Sequence, residues 1–249
     1  MDLGLRSKVA LVPAASQGLG KAVALAFARE GARLAVCSRR LDAIEATAEE
    51  ARRLGAEVLA LAADLTRAED IANLVQRTVE RFGGVDILIT NAGGPPAGRF
   101  DDFDDAAWQQ AIELTLMSAV RAARTVIPIM QRQGGGSITF ITSVSVKHAL
   151  DNLVFSNSLR LAVAGMVKTL AREVGPDNIR VNLICPGYTA TDRILALAAA
   201  HAERNGTTVE AELARSGANT ALGRVASVEE FARPCVFLAS PAASYITGT

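Results

Sequence analysis

Short apolar runs alternate along the chain with longer stretches whose apolar residues recur at helical spacing. Most of the runs are apolar throughout, which is typical of strands buried on both faces of a sheet. Strands separated by helical stretches form parallel sheets through βαβ units. We therefore predict one doubly wound α/β domain over residues 1–249, with a parallel sheet of about seven strands and helices on both faces. Six of the strands are predicted at 8–12, 34–37, 58–61, 85–90, 137–141 and 179–184.

The charges of the chain balance, with 26 Lys and Arg against 26 Asp and Glu. A nucleic-acid-binding surface needs excess positive charge, so the composition argues against a nucleic-acid partner. The three cysteines, Cys37, Cys185 and Cys235, lack metal-ligand spacing, so no metal site is expected. No apolar stretch reaches the roughly 18 residues that span a membrane, and the N-terminus has no signal-peptide pattern, so we expect a cytoplasmic protein without a membrane partner.

A glycine-bearing loop, residues 13–20, follows the first predicted strand and leads into the first predicted helix. Glycine lets the backbone approach a pyrophosphate closely, and a helix N-terminus supplies N–H donors and a positive dipole. The loop therefore predicts a phosphate site, although a strand-to-helix turn without a ligand gives the same pattern. Its candidate cofactor-binding residues are Ala14, Ser16, Gln17, Gly18, Leu19 and Gly20.

The end of the second predicted strand indicates which dinucleotide would bind. An acidic residue there holds the ribose 2′-hydroxyl of NAD, whereas an arginine accommodates the 2′-phosphate of NADP. Ser38, Arg39 and Arg40 stand there and favour NADP(H) over NAD(H); a solvated pair of arginines is the alternative. The third and fourth strands end at the same sheet edge, where the further candidate cofactor-binding residues are Asp64, Leu65, Asn91, Ala92 and Gly93.

The order of these motifs resembles that of the short-chain dehydrogenase/reductases, above all the 3-oxoacyl-(acyl-carrier-protein) reductase type, which has a Rossmann-type fold. The resemblance covers nearly the whole chain and includes Ser143 after the fifth strand, 185–191 after the sixth and 245–248 near the end. It implies an NADP(H)-dependent oxidoreductase that transfers hydride to or from a small-molecule carbonyl or acyl substrate, with a substrate lid around 191–217. It also adds Pro186, Gly187, Thr189 and Thr191 to the candidate cofactor-binding residues.

The resemblance implies four catalytic positions, of which one keeps the family's residue. Ser143 stands where a serine orients the substrate carbonyl. Ser156 replaces the tyrosine that acts as general acid, and Arg160 replaces the lysine four residues later, where it could also hold cofactor ribose hydroxyls. Thr115 replaces the asparagine that holds a water. In the phosphate loop, Ala14 replaces the family's first glycine and adds a Cβ atom.

Ser156 cannot act as the tyrosine does, because a phenol has a pKa near 10 whereas an aliphatic hydroxyl ionises nearer to water, at roughly 15.7. Tyr188, Lys147 and His148 lie in segments that could supply another proton donor. We therefore expect an oxidoreductase with unconventional or weakened acid–base catalysis, or else an inactive member of the fold that serves as a nucleotide-binding sensor or assembly subunit. Helical patterns at 157–172 and 228–238 are apolar on more than one face and favour a homo-oligomer, a tetramer or a dimer.

Overall fold

A computed structural model describes residues 2–218 and 220–249, with only the backbone of residue 193. In these residues six parallel strands form one sheet, ordered β3-β2-β1-β4-β5-β6. The strands are β1 Val9–Val12, β2 Arg33–Ser38, β3 Val58–Ala62, β4 Ile87–Thr90, β5 Gly136–Ile141 and β6 Ile179–Ile184. The doubly wound α/β fold is confirmed, with six strands where about seven were expected.

Helices cover both faces of this sheet. They are α1 Gly18–Arg29, α2 Leu41–Arg53, α3 Ala68–Phe82, α4 Asp105–Ile112, α5 Ser118–Gln133, α6 Val154–Val174, α7 Asp192–Asn205, α8 Val209–Gly217 and α9 Val228–Ala239. Side chains of α3, α5 and α6 build the core on one face, and side chains of α1, α2 and α9 build it on the other.

The first strand shows why the strand sequences are apolar without alternation. Val9 and Leu11 pack on the α3–α5–α6 side, whereas Ala10 and Val12 pack on the α1–α2–α9 side. Both faces are therefore dry, and no residue of this strand is more than 2% exposed. Burying one valine or leucine side chain contributes about 1.5–3 kcal/mol, so each strand residue stabilises one of the two layers.

Helices α4 and α5 form one continuous rod that is interrupted by a π-helical turn, Glu113–Met117. Single π turns of this kind often lie at functional sites, because the wider turn redirects a side chain. Thr115 lies in the middle of the turn and is buried. The two helices thus run on as one, with a local change in winding at Thr115.

The segment after β6 forms two helices, α7 and α8, which pack against each other where the lid was expected. Thr191 caps α7, its hydroxyl oxygen accepting a hydrogen bond from the backbone N–H of Ile194 at 3.4 Å. Movement of this segment over a substrate stays a prediction.

Arg180 on β6 joins the sheet to the C-terminal end of α9. Its guanidinium donates to the carbonyl oxygens of Leu238 at 2.6 Å, Ser240 at 2.8 Å and Ala239 at 3.1 Å. A fourth, longer contact of 3.5 Å reaches the carbonyl of Ile246. A cation at this place complements the partial negative charge at the end of a helix.

Candidate active site

The carboxyl ends of the strands form a crevice between β1 and β4, where the strand order reverses. Ligands of doubly wound sheets bind at such a switch point. The four loops that leave this edge around the crevice are 13–17 after β1, 91–99 after β4, 142–153 after β5 and 185–191 after β6. Most of the predicted site residues are therefore carried on neighbouring loops.

The loop after β1 leaves the N-terminus of α1 open to an anion. Gln17 precedes the helix in extended conformation without a side-chain capping bond, and the first turn has no acidic residue. The first N–H groups of the helix therefore remain available to a phosphate. Gly18 has a φ of +56°. Gly20 has no room for a side chain, since an added Cβ would overlap the carbonyl oxygen of Ala14 and lie 2.6 Å from Asn91 Nδ2.

Asn91 ties this loop to the end of β4, because its Nδ2 donates to the carbonyl oxygens of Pro13 at 3.3 Å and Ala14 at 3.2 Å. Ala14 has a φ of +49°, in the left-handed region. A residue with a Cβ adopts that region at a cost of roughly 1–2 kcal/mol. Ala14 thus keeps the conformation for which glycine is suited. Ser16 accepts a long hydrogen bond from α2 through its carbonyl, and Leu19 packs on the core.

The two arginines after β2 have different surroundings. Arg40 forms a hydrogen-bonded ion pair with Asp42, and its carbonyl accepts a 2.7 Å hydrogen bond from the Ser38 hydroxyl. Arg39 is exposed and forms no side-chain hydrogen bond or ion pair with the residues that the structure describes. Arg39 is therefore the arginine available to an anionic group beside β2.

The carboxylate of Asp64, after β3, is engaged in the hydrogen bonds of a tight turn. Its Oδ1 accepts from the backbone N–H of Thr66 at 2.9 Å and from the Thr66 hydroxyl at 2.8 Å, while its own N–H donates to Asp70 Oδ2. The hydrogen bond from the Thr66 backbone is the main cause that lowers the pKa of Asp64, and the charge of Arg39 adds to it. The next residue, Leu65, lines a cavity at the same edge of the sheet.

That cavity, of about 30 Å³, lies at the ends of β4 and β5 and has room for one or two water molecules. The π turn presents Thr115 to it, and the buried Thr115 hydroxyl has no hydrogen-bond partner among the described residues. A buried unpaired polar group costs about 1–3 kcal/mol, so this hydroxyl favours a bound water or a polar ligand atom. The cavity is also lined by Asn91, Ala92, Thr142 and Arg160.

Three serines meet where the loop after β5 contacts α6. The Oγ of Ser143 accepts a hydrogen bond from the Ser145 backbone N–H at 3.1 Å, and the half-buried Ser143 hydroxyl keeps its own proton to donate. Ser156 is 8% exposed, and its Oγ lies 3.2 Å from the Oγ of Ser145. The hydroxyl that we predict to stand in place of the family's tyrosine is thus engaged inside the protein.

Arg160 lies one turn after Ser156 and reaches back to the sheet. Its Nη1 donates to the carbonyl oxygen of Thr142 at 3.0 Å and approaches that of Ile141 at 3.3 Å. A guanidinium remains protonated throughout the physiological pH range, unlike a lysine that exchanges protons with a neighbour. Arg160 therefore places a permanent positive charge at the cavity.

The loop after β6 forms the opposite wall. The carbonyl of Pro186 accepts a 2.9 Å hydrogen bond from the backbone of the Ser143 loop. Thr189 donates through its hydroxyl to the carbonyl of Gly187 at 3.4 Å. A Cβ on Gly18 would lie 3.6 Å from the methyl group of Thr191, so the phosphate loop and the start of α7 are neighbours. The structure therefore brings the cofactor candidates of three loops together around the crevice.

Comparisons with known proteins show the family of the chain. Residues 14–249 match the family model described as enoyl-(acyl carrier protein) reductase. The chain is 31% identical to 7alpha-hydroxysteroid dehydrogenase from Escherichia coli K12, over 99% of this chain and 92% of that protein. It is 34% identical to dehydrogenase/reductase SDR family member 4 from Sus scrofa, over 98% and 85% of the two chains. The chain belongs to the short-chain dehydrogenase/reductase family.

Solved structures of this family are similar throughout. L-sorbose reductase from Gluconobacter frateurii, complexed with NADPH and L-sorbose, has a TM-score of 0.96 and 36% identity, with 100% of this chain and 95% of that chain covered. A 7alpha-hydroxysteroid dehydrogenase with NADH and 7-oxo glycochenodeoxycholic acid has a TM-score of 0.88 and 32% identity, with 99% and 92% covered. The predicted family is thereby confirmed.

The remaining candidates of this dehydrogenase/reductase lie on the exposed side of the crevice. Gly93 has open space where a side chain would be. Lys147 and His148 are exposed in the loop after β5, and Tyr188 is 41% exposed in the loop after β6. No hydrogen bond joins these three side chains to Ser143 in the part of the chain that the structure describes.

Over 2–218 and 220–249, no three histidine, cysteine, aspartate or glutamate side chains come together as metal ligands. In the same residues no helix is long and apolar enough to cross a lipid bilayer.

Sequence reasoning missed Ser145. Its position two residues after Ser143 is visible in the sequence. Its partner Ser156 comes 11 residues later and approaches only because α6 folds back onto the loop. No local pattern of residues could have indicated that contact.

Proposed function

We propose that this short-chain dehydrogenase/reductase is an NADP(H)-dependent oxidoreductase that acts on a ketone or the corresponding alcohol, in the manner of a 3-oxoacyl-carrier reductase. The observation that carries the proposal is the Ser143 hydroxyl at the crevice. Its oxygen already accepts from the Ser145 N–H, so its proton is available to a substrate carbonyl oxygen. When bound, the dinucleotide supplies or accepts the hydride.

The residues around the crevice fit a dinucleotide. The uncapped start of α1 can receive the diphosphate, and Gly20 permits the close packing of loop and helix that the fit requires. Arg39 has no competing ion pair among the described residues, so its guanidinium can meet a 2′-phosphate. Relatives support a nicotinamide cofactor of either kind, since one solved structure contains NADPH and another NADH. The preference for NADP(H) rests on Arg39.

Without the family's phenol, the site supplies a hydrogen bond but no comparable acid. Ser143 would orient and polarise the carbonyl, while Arg160 adds a fixed positive charge nearby. Loss of a positioned general acid typically lowers the rate by about 10²–10⁴. We therefore propose that the substrate is an activated ketone, whose reduced oxygen needs less help to gain a proton from solvent.

The alternative proposal is an inactive protein that binds a nucleotide as a sensor or assembly subunit. The observation that favours it is the engaged state of Ser156, whose hydroxyl bonds to Ser145 instead of projecting as an acid. Under this alternative the dinucleotide would bind with full affinity, but no carbonyl compound would be reduced.

Oxidation of NADPH against a panel of β-ketoacyl thioesters, keto sugars and oxo-steroids separates the two. We expect turnover that falls at least about 10²-fold in Ser143→Ala, as for an oxyanion-type donor. We expect Arg39→Ala to raise the KM for NADPH but not for NADH, with Arg40→Ala as the matched control. Tight NADPH binding with no turnover above the Ser143→Ala background would favour the alternative. Quenching of Trp108, which packs at 4.9 Å from the Phe155 ring beside Ser156, measures that binding.

A further inference from the structure

We propose that Ser145 and Ser156 are positioning residues that hold the Ser143 hydroxyl, and that Ser156 itself does not contact the substrate. The kinetic part of its test rests on the proposed function, because it needs measurable turnover. It follows from a connected series of hydrogen bonds between the loop after β5 and the first turns of α6.

The donors and acceptors of the pair account for both hydroxyl protons. The Oγ atoms of Ser145 and Ser156 are 3.2 Å apart, and Ser145 Oγ is also 3.4 Å from the carbonyl oxygen of Ser156. A hydroxyl has one proton. We infer that Ser145 donates to the Ser156 carbonyl while Ser156 donates to Ser145 Oγ. This arrangement satisfies both acceptors and leaves Ser156 with no proton for a substrate.

The burial of the pair supports this assignment. Ser145 is 5% exposed and Ser156 is 8% exposed, so neither hydroxyl has free access to water. The preceding residue, Phe155, is fully buried and stacks on Phe103 with ring centroids 4.2 Å apart. The first turn of α6 is thereby held in place by aromatic packing, and Ser156 is held with it.

Ser145 transmits this fixed position to Ser143. Its side chain is bonded to α6, and its backbone N–H donates to Ser143 Oγ at 3.1 Å. The same loop is held on its other side by a 2.9 Å hydrogen bond from the Val144 N–H to the Pro186 carbonyl. Loss of the serine pair releases one of these two supports. An error of about 1 Å in a catalytic group can cost about 10²-fold in rate.

The test compares Ser145→Ala, Ser156→Ala and the double variant with the native chain. We expect each single variant to lower kcat about 10-fold with the KM for NADPH unchanged, and the double variant to be no worse, because both remove the same support. The pH–rate profile keeps its shape, since no titrating group is removed. Ser156→Thr, which keeps the hydroxyl, should retain most of the native activity.

The amide proton of Ser145 gives a readout that needs no turnover. We expect its NMR shift to move upfield in Ser143→Ala, where the acceptor is lost, and to move in the same direction in Ser156→Ala. Ser240→Ala is the matched control, because it removes a fully buried serine hydroxyl that donates to the Phe237 carbonyl at the end of α9. That variant should change neither the shift nor kcat.

Two results would overturn the inference. One is a loss of kcat in Ser156→Ala that equals Ser143→Ala and exceeds Ser145→Ala, or that alters the pH profile, since Ser156 would then act on the substrate. The other is a Ser145 amide shift that stays native in Ser156→Ala. If the native chain reduces nothing, the proposed function fails, while the amide shifts still decide the positioning role.

Discussion

Replacing Arg180 by methionine removes the hydrogen bonds that hold the end of α9 on β6. Three carbonyl groups, those of Leu238, Ala239 and Ser240, lose a charged donor at 2.6–3.1 Å. Burial lowers the pKa of Arg180, because the guanidinium has lost part of its hydration. The substitution therefore removes favourable bonds and relieves a desolvation cost at the same time.

The bonds outweigh the desolvation. Hydrogen bonds from a charged group contribute about 1.5–3 kcal/mol each, so three give roughly 4.5–9 kcal/mol before any correction. The desolvation of one partly buried ion offsets several kcal/mol of that. We expect the free energy of unfolding to fall by about 3 kcal/mol in Arg180→Met, which lowers Tm by roughly 6–12 °C for a domain of this size.

Urea unfolding followed by circular dichroism measures this loss. Arg233→Met is the matched control, because Arg233 is exposed on the same helix α9 and has no hydrogen bond or ion pair within the described residues. We expect that control to change the free energy of unfolding by less than about 0.5 kcal/mol. A loss below about 1 kcal/mol in Arg180→Met at unchanged m-value would show that the buried bonds do not stabilise the contact.

Two further substitutions, a thiol reagent and a pH series test other parts of the structure. Ala14→Gly relieves the left-handed strain at φ +49° and should raise the free energy of unfolding by about 1 kcal/mol, and Tm with it; a lower Tm would contradict this. Gly20→Ala places a Cβ against the Ala14 carbonyl and should weaken NADPH binding measured by titration; unchanged affinity would show that the loop adapts. Burial raises the pKa of Cys37 to about 11 and that of Cys235 to about 12, so iodoacetamide at pH 8 should label the partly exposed Cys185 first, as mass spectrometry would show. Because both folded-state pKa values are raised, the stability that these neutral thiols contribute is complete below about pH 9. It is lost as the pH rises through about 11 for Cys37 and about 12 for Cys235, which equilibrium unfolding across that range checks.

The positions of the strands follow from the sequence because a strand buried on both faces must be apolar at successive residues. Val9 to Val12 illustrate this, and the structure places all six predicted strands within two residues of their expected bounds. The π turn around Thr115 was not predictable, since its residues also suit an ordinary α-helix. The turn packs against α6, and that contact between distant segments exists only in the folded chain.

The candidate site was predictable where a motif is local and not where contacts join distant segments. The loop 13–20 predicts a helix start, and α1 begins there at Gly18. Binding of an anion at that start stays a prediction. The difference between Arg39 and Arg40 arises from Asp42, and it appears only in the structure. The hydroxyl contact of Ser156 likewise depends on how α6 meets the preceding loop. The homo-oligomer and the cytoplasmic location stay predictions.

Thr191 lies close to Gly18 in the structure, although the two residues are far apart in the sequence. Thr191 is the N-cap residue of α7, and Gly18 is the first residue of α1. We therefore expect a diphosphate held at the start of α1 to lie close to Thr191 at the start of α7. Nucleotide binding and the order of α7 and α8 should then be coupled. Proteolysis within 192–217 should become slower as the fraction of nucleotide-bound protein rises.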